Sequence, residues 1–212
     1  MYSVVIVDYG MGNLRSVEKA LNAIGTDYVV KISGEPSDVL AADKIVFPGQ
    51  GAMPDCMREL EVRGLANPVR QAAKTKPFLV ICIGLQLLFE RSDEGDVDGL
   101  GILSGSVRKL VPDIGNKGSE KFKVPHMGWN KVKLTREHVL FEGIEDNDFF
   151  YFVHSFYANP KKSEVVLGTT DYCNNFVSAV AQDNLVAVQF HPEKSQRAGL
   201  RLLSNFLDWS GD

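Results

Sequence analysis

The feature that most constrains the fold of this chain is an alternation of short apolar runs with helical spacings, which begins at its first residues. Residues 4–7 form a β-branched run that reaches a turn at Asp8-Tyr9-Gly10, and apolar residues then recur at helical spacing from Leu14 to Ile24. Further strands are expected at residues 28–32, 44–47 and 78–82, and helices at residues 53–73, with a break at Gly64 or Pro68, and 84–91. Such alternation is typical of parallel strands covered by helices on both faces.

The second half of the chain is richer in strands than in helices. Strand-like segments are centred on Val107 and on residues 129–134, 149–156, 165–170, 177–181 and 186–190. A last helix is expected to start near Ser195, a residue type favoured at the N-cap, and residues 113–123 are the most loop-like stretch. The prediction is an α/β fold with a mixed, mostly parallel central sheet and helices on both faces, in a single domain of residues 1–212.

Charge and hydrophobic patterning exclude two classes of partner. The formal net charge of −4 gives no electrostatic reason to expect nucleic-acid binding. The chain begins without a basic region, and its longest apolar run, residues 78–89, is interrupted by Gly84 and Gln86 and is too short to span a bilayer. We therefore expect a cytoplasmic protein with neither a nucleic-acid nor a membrane partner.

The three cysteines, Cys56, Cys82 and Cys173, are odd in number and have no Cys-x-x-Cys or Cys/His ligand spacing. A disulfide framework and a metal site are therefore not expected, and neither is a cofactor. Cys82 differs from the other two because an apolar strand turns there into a helix, at Val80-Ile81-Cys82-Ile83-Gly84. A nucleophile elbow has this arrangement, with sulfur here in place of the usual serine oxygen. The alternative is a small buried side chain in a core strand.

A cysteine nucleophile needs a base, and the base usually needs a third group to orient it. His191 ends the apolar strand at residues 186–190, and Glu193 follows two positions later. Residues i and i+2 of an extended chain project from the same face, so the carboxylate of Glu193 can fix the tautomer of His191. The alternative is a solvent-facing turn around Pro192.

Two glycine-rich segments follow predicted strands. Pro48-Gly49-Gln50-Gly51 comes after the strand at residues 44–47, where its backbone N–H groups can face a developing oxyanion. By itself such a segment is more often an ordinary turn. Gly10-Met11-Gly12 is similar to the start of a dinucleotide fingerprint, but Arg15 stands where the third glycine should be, which excludes that site.

Three segments together resemble the signatures of class I glutamine amidotransferases, and they occur in the order found in that family. They are FPGQG near residue 50, VICIGLQLLF around Cys82 and QFHPEKS around His191. DYGMGNLRSVEKAL at the start, KVPHMGWN at residues 123–130 and YFVHSFY at residues 151–157 further resemble the glutaminase subunits of imidazole glycerol phosphate synthases. The resemblance runs from residue 4 to residue 209 and implies a flavodoxin-like fold.

The resemblance implies a role for each matching residue. Cys82 is the nucleophile, His191 the general base and acid, and Glu193 the group that orients the histidine. Residues implied to hold the glutamine substrate are Gln86, Glu94 and Ser155, together with Gly49, Gln50 and Gly51, whose backbone supplies the oxyanion hole. The implied partner is a cyclase subunit in a heterodimer, which uses the released ammonia to make imidazole glycerol phosphate for histidine biosynthesis. Residues expected at that interface, beside the triad, are His126, Trp129, Tyr151 and Lys194.

Two positions depart from the family pattern. Val80 stands where the elbow usually carries a glycine two residues before the cysteine, and a branched side chain there can crowd the turn. Gln50 replaces the smaller apolar residue that is common at its position. Two alternatives remain at this point: a subunit serving another synthase, such as anthranilate synthase, and a non-catalytic subunit that keeps the fold.

Overall fold

The computed structural model describes residues 2–25, 27–112 and 122–211. The described strands are, in chain order, β1 (Tyr2–Val7), β2 (Tyr28–Ser33), β3 (Lys44–Gly49), β4 (Phe78–Cys82), β5 (Arg91–Ser92), β6 (Val97–Asp98), β7 (Gly105–Lys109), β8 (His126–Lys131), β9 (Lys133–Leu134), β10 (Phe149–His154), β11 (Phe156–Pro160), β12 (Val166–Tyr172), β13 (Asn174–Gln182) and β14 (Leu185–Val188). The α-helices are α1 (Leu14–Ile24), α2 (Pro36–Ala41), α3 (Met53–Val62), α4 (Ala66–Thr75), α5 (Ile83–Leu87) and α6 (Gln196–Asp208). None of these described helices is long and apolar enough to cross a membrane.

The central sheet is mixed, as the sequence predicts. Its strand order begins β2-β1-β3-β4-β14, and these five strands pair in parallel. Beyond β14 the sheet continues with mostly antiparallel pairs through β13, β11 and β7. Because β3 and β4 are parallel neighbours, their carboxyl ends meet at one edge, where Gly49 lies opposite Cys82.

Helices cover both faces of this sheet, and the alternation of side chains along β1 shows how. Val5 and Val7 point to a core that also contains Leu60 of α3 and Val69 of α4. Val4 and Ile6 point to the opposite core, which is closed by side chains of α1 and α6, including Val17, Leu21, Leu202 and Phe206. Two buried faces explain why β1 is apolar throughout instead of alternating.

A separate antiparallel ribbon of β8 and β10 packs beside the second core. Phe150 and Phe152 bury one face of the ribbon in that core. Its outer face carries Trp129, which lies opposite Tyr151 in the strand register. The ribbon is therefore amphipathic, with period-two alternation.

Two helix predictions have different outcomes. The break predicted at Gly64 or Pro68 falls at Gly64, which has a φ of +67° between α3 and α4, whereas Pro68 lies within α4. The helix predicted at residues 84–91 is wrong in its extent, because α5 ends at Leu87. The chain then leaves the helix so that Arg91 can pair with Ser106 of β7. The loop predicted at residues 113–123 lies outside the described residues except for Phe122 and Lys123.

Candidate active site

Cys82 occupies a strained turn between β4 and α5. Its φ of 59° and ψ of −119° lie in a region that residues with a side chain rarely adopt. Such strain costs on the order of 1–3 kcal/mol and persists only where the surrounding structure enforces it. Here the turn lies at the carboxyl end of β4, and Cys82, only 6% exposed as a residue, lines the cavity described below.

Val80 fits this elbow because Gly84 lacks a side chain. A Cβ atom added to Gly84 would lie 2.7 Å from Cγ1 of Val80 and 2.6 Å from the carbonyl oxygen of Phe47. Val80 itself is fully buried between β3 and β14, opposite Phe47 and Ala187. The crowding that the sequence suggests is therefore relieved by Gly84, two positions after the cysteine.

His191 and Glu193 form a buried pair at the end of the strand next to β4. Nδ1 of His191 lies 2.8 Å from Oε1 of Glu193, so Nε2 is the ring nitrogen left to interact with the neighbouring sulfur of Cys82. Burial lowers the pKa of His191, but the neighbouring Cys82 and Glu193 outweigh burial and raise this pKa to about 10. A proton is therefore retained on the imidazole at neutral pH, next to the sulfur.

The backbone of His191 is tied to the β8–β10 ribbon. Its N–H donates to the carbonyl of Tyr151 at 2.9 Å. The hydroxyl of Ser195 donates to the carbonyl of His191 at 2.6 Å and accepts from the N–H of Tyr151 at 3.0 Å. Ser195 does occupy the N-cap position of α6, but its side chain makes no capping bond to that helix. It holds His191 and Tyr151 together instead, which a propensity argument does not reveal.

The glycine-rich segment at the end of β3, from Gly49 to Gly51, is packed closely from behind. A Cβ atom on Gly49 would lie 2.1 Å from the hydroxyl oxygen of Tyr9, and one on Gly51, whose φ is +106°, would lie 2.7 Å from Met11. Both glycines are thus required by close approach, and Gly51 also by its backbone angle. The segment carries Gln50 and Gly51 to the wall of the cavity.

One cavity of about 430 Å³ gathers most of the predicted site residues. Its lining includes Cys82, His191, Gln50, Gly51, Gln86, Glu94 and Ser155. Gly49 and Glu193 do not line it; they lie behind it, beside Cys82 and His191 respectively. A cavity of this size suits a small molecule.

Gln86 is held rigidly by a residue that the sequence analysis missed. Its Nε2 donates to the carbonyl of Phe156 at 3.0 Å and to Oε1 of Gln189 at 3.1 Å. Both glutamines are buried. The signal for Gln189 was present in the sequence, because it is a polar residue within the apolar run at residues 186–190.

Glu94 is placed in the cavity by the start of α3. Its Oε2 accepts a hydrogen bond of 2.8 Å from the N–H of Met53, the first residue of that helix. A carboxylate is stabilised at this end of a helix. Glu94 therefore presents its carboxylate to the cavity wall.

His126 belongs to a buried chain of hydrogen bonds and not to an exposed surface. Nδ1 of His154 lies 2.9 Å from the carbonyl of Phe156, Nε2 of His154 lies 2.9 Å from Nδ1 of His126, and Asn130 follows at 3.3 Å. A carbonyl only accepts, so each histidine donates through Nδ1 and accepts through Nε2. Burial lowers the pKa of His126 to about 4 and that of His154 to about 3.

The expectation that His126 contacts a partner is corrected by its position, since it is only 2% exposed. It is stacked against Tyr172 and Phe152. The other expected interface residues are accessible: Trp129 is 46% exposed, Tyr151 is half-buried and Lys194 is exposed. Nζ of Lys194 lies 5.7 Å from the centre of the Tyr151 ring, and Lys194 also lines the cavity.

Within residues 2–25, 27–112 and 122–211, no cluster of three His, Cys, Asp or Glu side chains is arranged to hold a metal ion. The chemistry of the cavity is argued from its own side chains: a thiol, a histidine that retains its proton, a buried carboxylate and a glycine-rich backbone. This set matches the requirements of acyl transfer from a small amide through a thioester.

Comparisons with known proteins agree with this chemistry. The family model for glutamine amidotransferase class-I matches residues 5–209. Imidazole glycerol phosphate synthase subunit HisH of Aromatoleum aromaticum is 54% identical over 213 residues, covering 99% of this chain and 100% of that protein. The subunit of the same name from Nitrosomonas europaea is 53% identical over 211 residues, with coverages of 99% and 100%.

Solved structures support the fold at lower sequence identity. PurLQS from Thermotoga maritima superposes with a TM-score of 0.69 at 19% identity, covering 98% of this chain and 99% of that one. A crystal structure of a glutamine amidotransferase gives a TM-score of 0.70 at 18% identity, with coverages of 97% and 97%. At these identities the likeness concerns the α/β architecture alone.

Proposed function

Since this chain belongs to the class I glutamine amidotransferases, we propose that it is the glutaminase subunit of an imidazole glycerol phosphate synthase, with Cys82, His191 and Glu193 as its catalytic triad. The observation that carries the proposal is the meeting of a strained cysteine elbow with a buried His–Glu pair at one cavity. The relatives that are about half identical over the whole chain are named as subunits of that synthase.

The first step is attack by sulfur on glutamine. Cys82, with its proton already on His191, attacks the carboxamide carbon, and the carbonyl oxygen becomes an oxyanion. N–H groups of the segment from Gly49 to Gly51 stabilise that charge. His191 then gives its proton to the nitrogen, so that the C–N bond breaks and ammonia leaves. Because its pKa is raised, His191 is protonated at neutral pH and so carries the proton that this step needs.

The second step releases glutamate. His191, now neutral, takes a proton from water as the water oxygen attacks the thioester carbon. Collapse of the tetrahedral intermediate breaks the C–S bond, and the sulfur leaves as thiolate beside the imidazolium. Glu193 stabilises the imidazolium in both steps and keeps Nδ1 protonated.

Substrate selection follows from the groups around the sulfur. The carboxylate of Glu94 pairs with the α-ammonium group of glutamine, and Gln86 and Ser155, which also line the cavity, supply hydrogen bonds. Gln86 is pre-oriented by Phe156 and Gln189, so little side-chain entropy is lost when the substrate binds.

The proposed partner is a cyclase subunit that forms a heterodimer with this chain. We assign the docking surface to the outer face of the β8–β10 ribbon, where Met127, Trp129 and Phe149 are 63%, 46% and 48% exposed. Tyr151 and Lys194 continue this surface to the mouth of the cavity. Exposed aromatic and apolar side chains grouped in this way are typical of protein interfaces. Ammonia released at Cys82 would leave the cavity at this surface.

Residues 1–212 act as one glutamine amidotransferase domain in this proposal, because both halves of the described chain contribute strands to the sheet that carries the site. The proposed location is the cytoplasm, where thiols stay reduced and Cys82 remains available as a nucleophile.

The test is a glutaminase assay of the isolated chain and of the chain bound to the cyclase subunit and its nucleotide ligand. We expect the isolated chain to be a poor glutaminase and the liganded complex to be at least about tenfold faster, mainly in kcat. The physical reason is that the glycines of the segment from Gly49 to Gly51 allow a peptide rotation that completes the oxyanion hole on docking.

Two results would count against the proposal. Equal rates in the isolated chain and in the liganded complex would show that the oxyanion hole is preformed and that docking does not gate it. Absence of glutaminase activity from the liganded complex would contradict the assignment of a working triad.

A further inference from the structure

The hydroxyl group of Tyr9 is buried directly behind the glycine-rich segment and is poorly paired. Tyr9 is fully buried, and its hydroxyl interacts with the thiol of Cys56 but makes no hydrogen bond of good geometry among the described residues. The oxygen points at the backbone of Gly49, since a Cβ atom there would lie only 2.1 Å from it. An unpaired buried hydroxyl is uncommon and is costly compared with a paired one.

Tyr9 and the cavity lie on different sides of this segment. The ring of Tyr9 packs in the core against Phe47, with ring centres 5.4 Å apart, in the same core cluster as Cys56. Tyr9 does not line the cavity, whereas Gln50 and Gly51 do. The backbone at the end of β3 therefore lies between the hydroxyl and the substrate site.

Peptide geometry links the two sides. In a trans peptide the C=O and the N–H point in opposite directions. If the peptide between Gly49 and Gln50 turns its carbonyl toward Tyr9, its N–H must turn away from Tyr9 and toward the cavity. Gly49 can undergo this rotation at little steric cost, because it has no Cβ.

We infer that Tyr9 is a positioning residue for glutamine hydrolysis, whose hydroxyl donates to the Gly49 carbonyl when the oxyanion hole forms. The inference rests on the oxyanion role proposed above for residues 49–51. In the resting chain the hydroxyl interacts with the Cys56 thiol, which is a weak acceptor, and in the active conformation it gains the stronger carbonyl acceptor of Gly49. Tyr9 thus favours the conformation that presents the Gln50 N–H to the substrate oxygen, without touching the substrate.

The test is Tyr9→Phe, which removes the hydroxyl and keeps the ring, assayed in the complex with the cyclase subunit and its nucleotide ligand. We expect kcat for glutamine hydrolysis to fall roughly threefold to tenfold, the worth of one hydrogen bond, with KM for glutamine within about twofold. Synthesis from free ammonia should keep its rate, since it bypasses the oxyanion hole.

Tyr28→Phe is the matched control, because its hydroxyl bonds to Asp208 at 3.3 Å on the surface. A kcat for Tyr9→Phe equal to that of Tyr28→Phe would overturn the inference, and so would a rise in KM that accounts for the whole loss.

Thermal stability gives a second readout. Tyr9→Phe should unfold close to the wild-type temperature, because the resting hydroxyl makes no hydrogen bond of good geometry. A clear loss of stability would contradict this account of the resting hydroxyl.

The two proposals fail in different ways. A wild-type complex without glutaminase activity would overturn the proposed function and this inference together. An active wild-type complex that Tyr9→Phe leaves unchanged would overturn the inference alone.

Discussion

Nδ1 of His191 lies 2.8 Å from Oε1 of Glu193, and only 7% and 1% of the two side chains are exposed. A carboxylate held this close to a buried imidazole stabilises its protonated form. The raised pKa of His191 therefore depends on Glu193 as well as on Cys82. The pair contributes stability that is fully present below the unfolded pKa of about 6.5 and is lost as the pH rises through about 10.

Glu193→Gln keeps the size of the side chain and removes its charge. We predict that kcat for glutamine falls, though by less than in Cys82→Ala, because the base remains. The alkaline limb of the pH–rate profile should move to lower pH. Burial still lowers the pKa of His191 in this variant, but the charge of Glu193 no longer helps Cys82 to raise it. Glu164→Gln, at an exposed position, is the control. An unchanged rate and profile would mean that Glu193 is only a turn residue.

Cys82→Ala should reduce glutamine hydrolysis on the order of 10³-fold or more, because the members of a triad act as a unit. Synthesis from free ammonia by the complex should survive, since the chemistry of the partner is untouched. Cys173→Ala provides the matched control at a cysteine outside the cavity lining. Residual glutaminase activity within about tenfold of wild type would exclude Cys82 as the nucleophile.

Lys194→Ala should weaken activation by the cyclase subunit. Its ammonium group lies over the Tyr151 ring, where the cavity meets the proposed docking surface. Removing this side chain therefore removes a contact between the cavity wall and that surface. The measurement is a titration of the chain with its partner, following glutaminase rate. We expect a smaller ratio of bound to free rate, with Lys162→Ala, an exposed lysine outside the proposed surface, as control. The same ratio in both variants would leave Lys194 as a solvated side chain.

The sequence identifies the residues of the site more completely than the residues that hold them in place. The residues proposed as the triad can be singled out in the sequence because Cys82 and His191 each end an apolar run, and parallel strands bring such ends to one edge. Val80 was misleading for a local reason: the space it fills exists only because Gly84 is packed against Phe47. That contact joins β3 to α5 and is invisible in a linear pattern.

At His126 and Ser195, too, tertiary contacts decide a property that the local sequence does not reveal. The histidine lies in a segment that resembles one synthase, and its burial depends on Phe152 and Tyr172 from distant strands. Ser195 was expected to cap a helix, and tertiary structure gives its hydroxyl two better partners in Tyr151 and His191. Local propensity identifies the position of such residues and not the bonds that they make.

The buried histidines predict an acid-sensitive fold. Because the pKa of His126 is lowered to about 4 and that of His154 to about 3, the unfolded chain binds protons first, and stability falls as pH drops below about 6.5. Each histidine contributes up to about 1.4 kcal/mol per pH unit. Urea unfolding between pH 7 and pH 5 measures this slope. His126→Gln should reduce the slope, and an equal slope in both proteins would contradict neutral burial.

The most direct test of the triad is labelling with an electrophile that mimics glutamine, followed by peptide mass spectrometry and a glutaminase assay. The thiol of Cys82 faces the cavity beside His191, whereas burial raises the pKa of the Cys56 thiol to about 11. We predict one adduct, on Cys82, with loss of glutaminase activity in proportion to labelling and protection by glutamine. Equal labelling of Cys56 and Cys173, or full activity after Cys82 is modified, would contradict a Cys82-centred glutaminase.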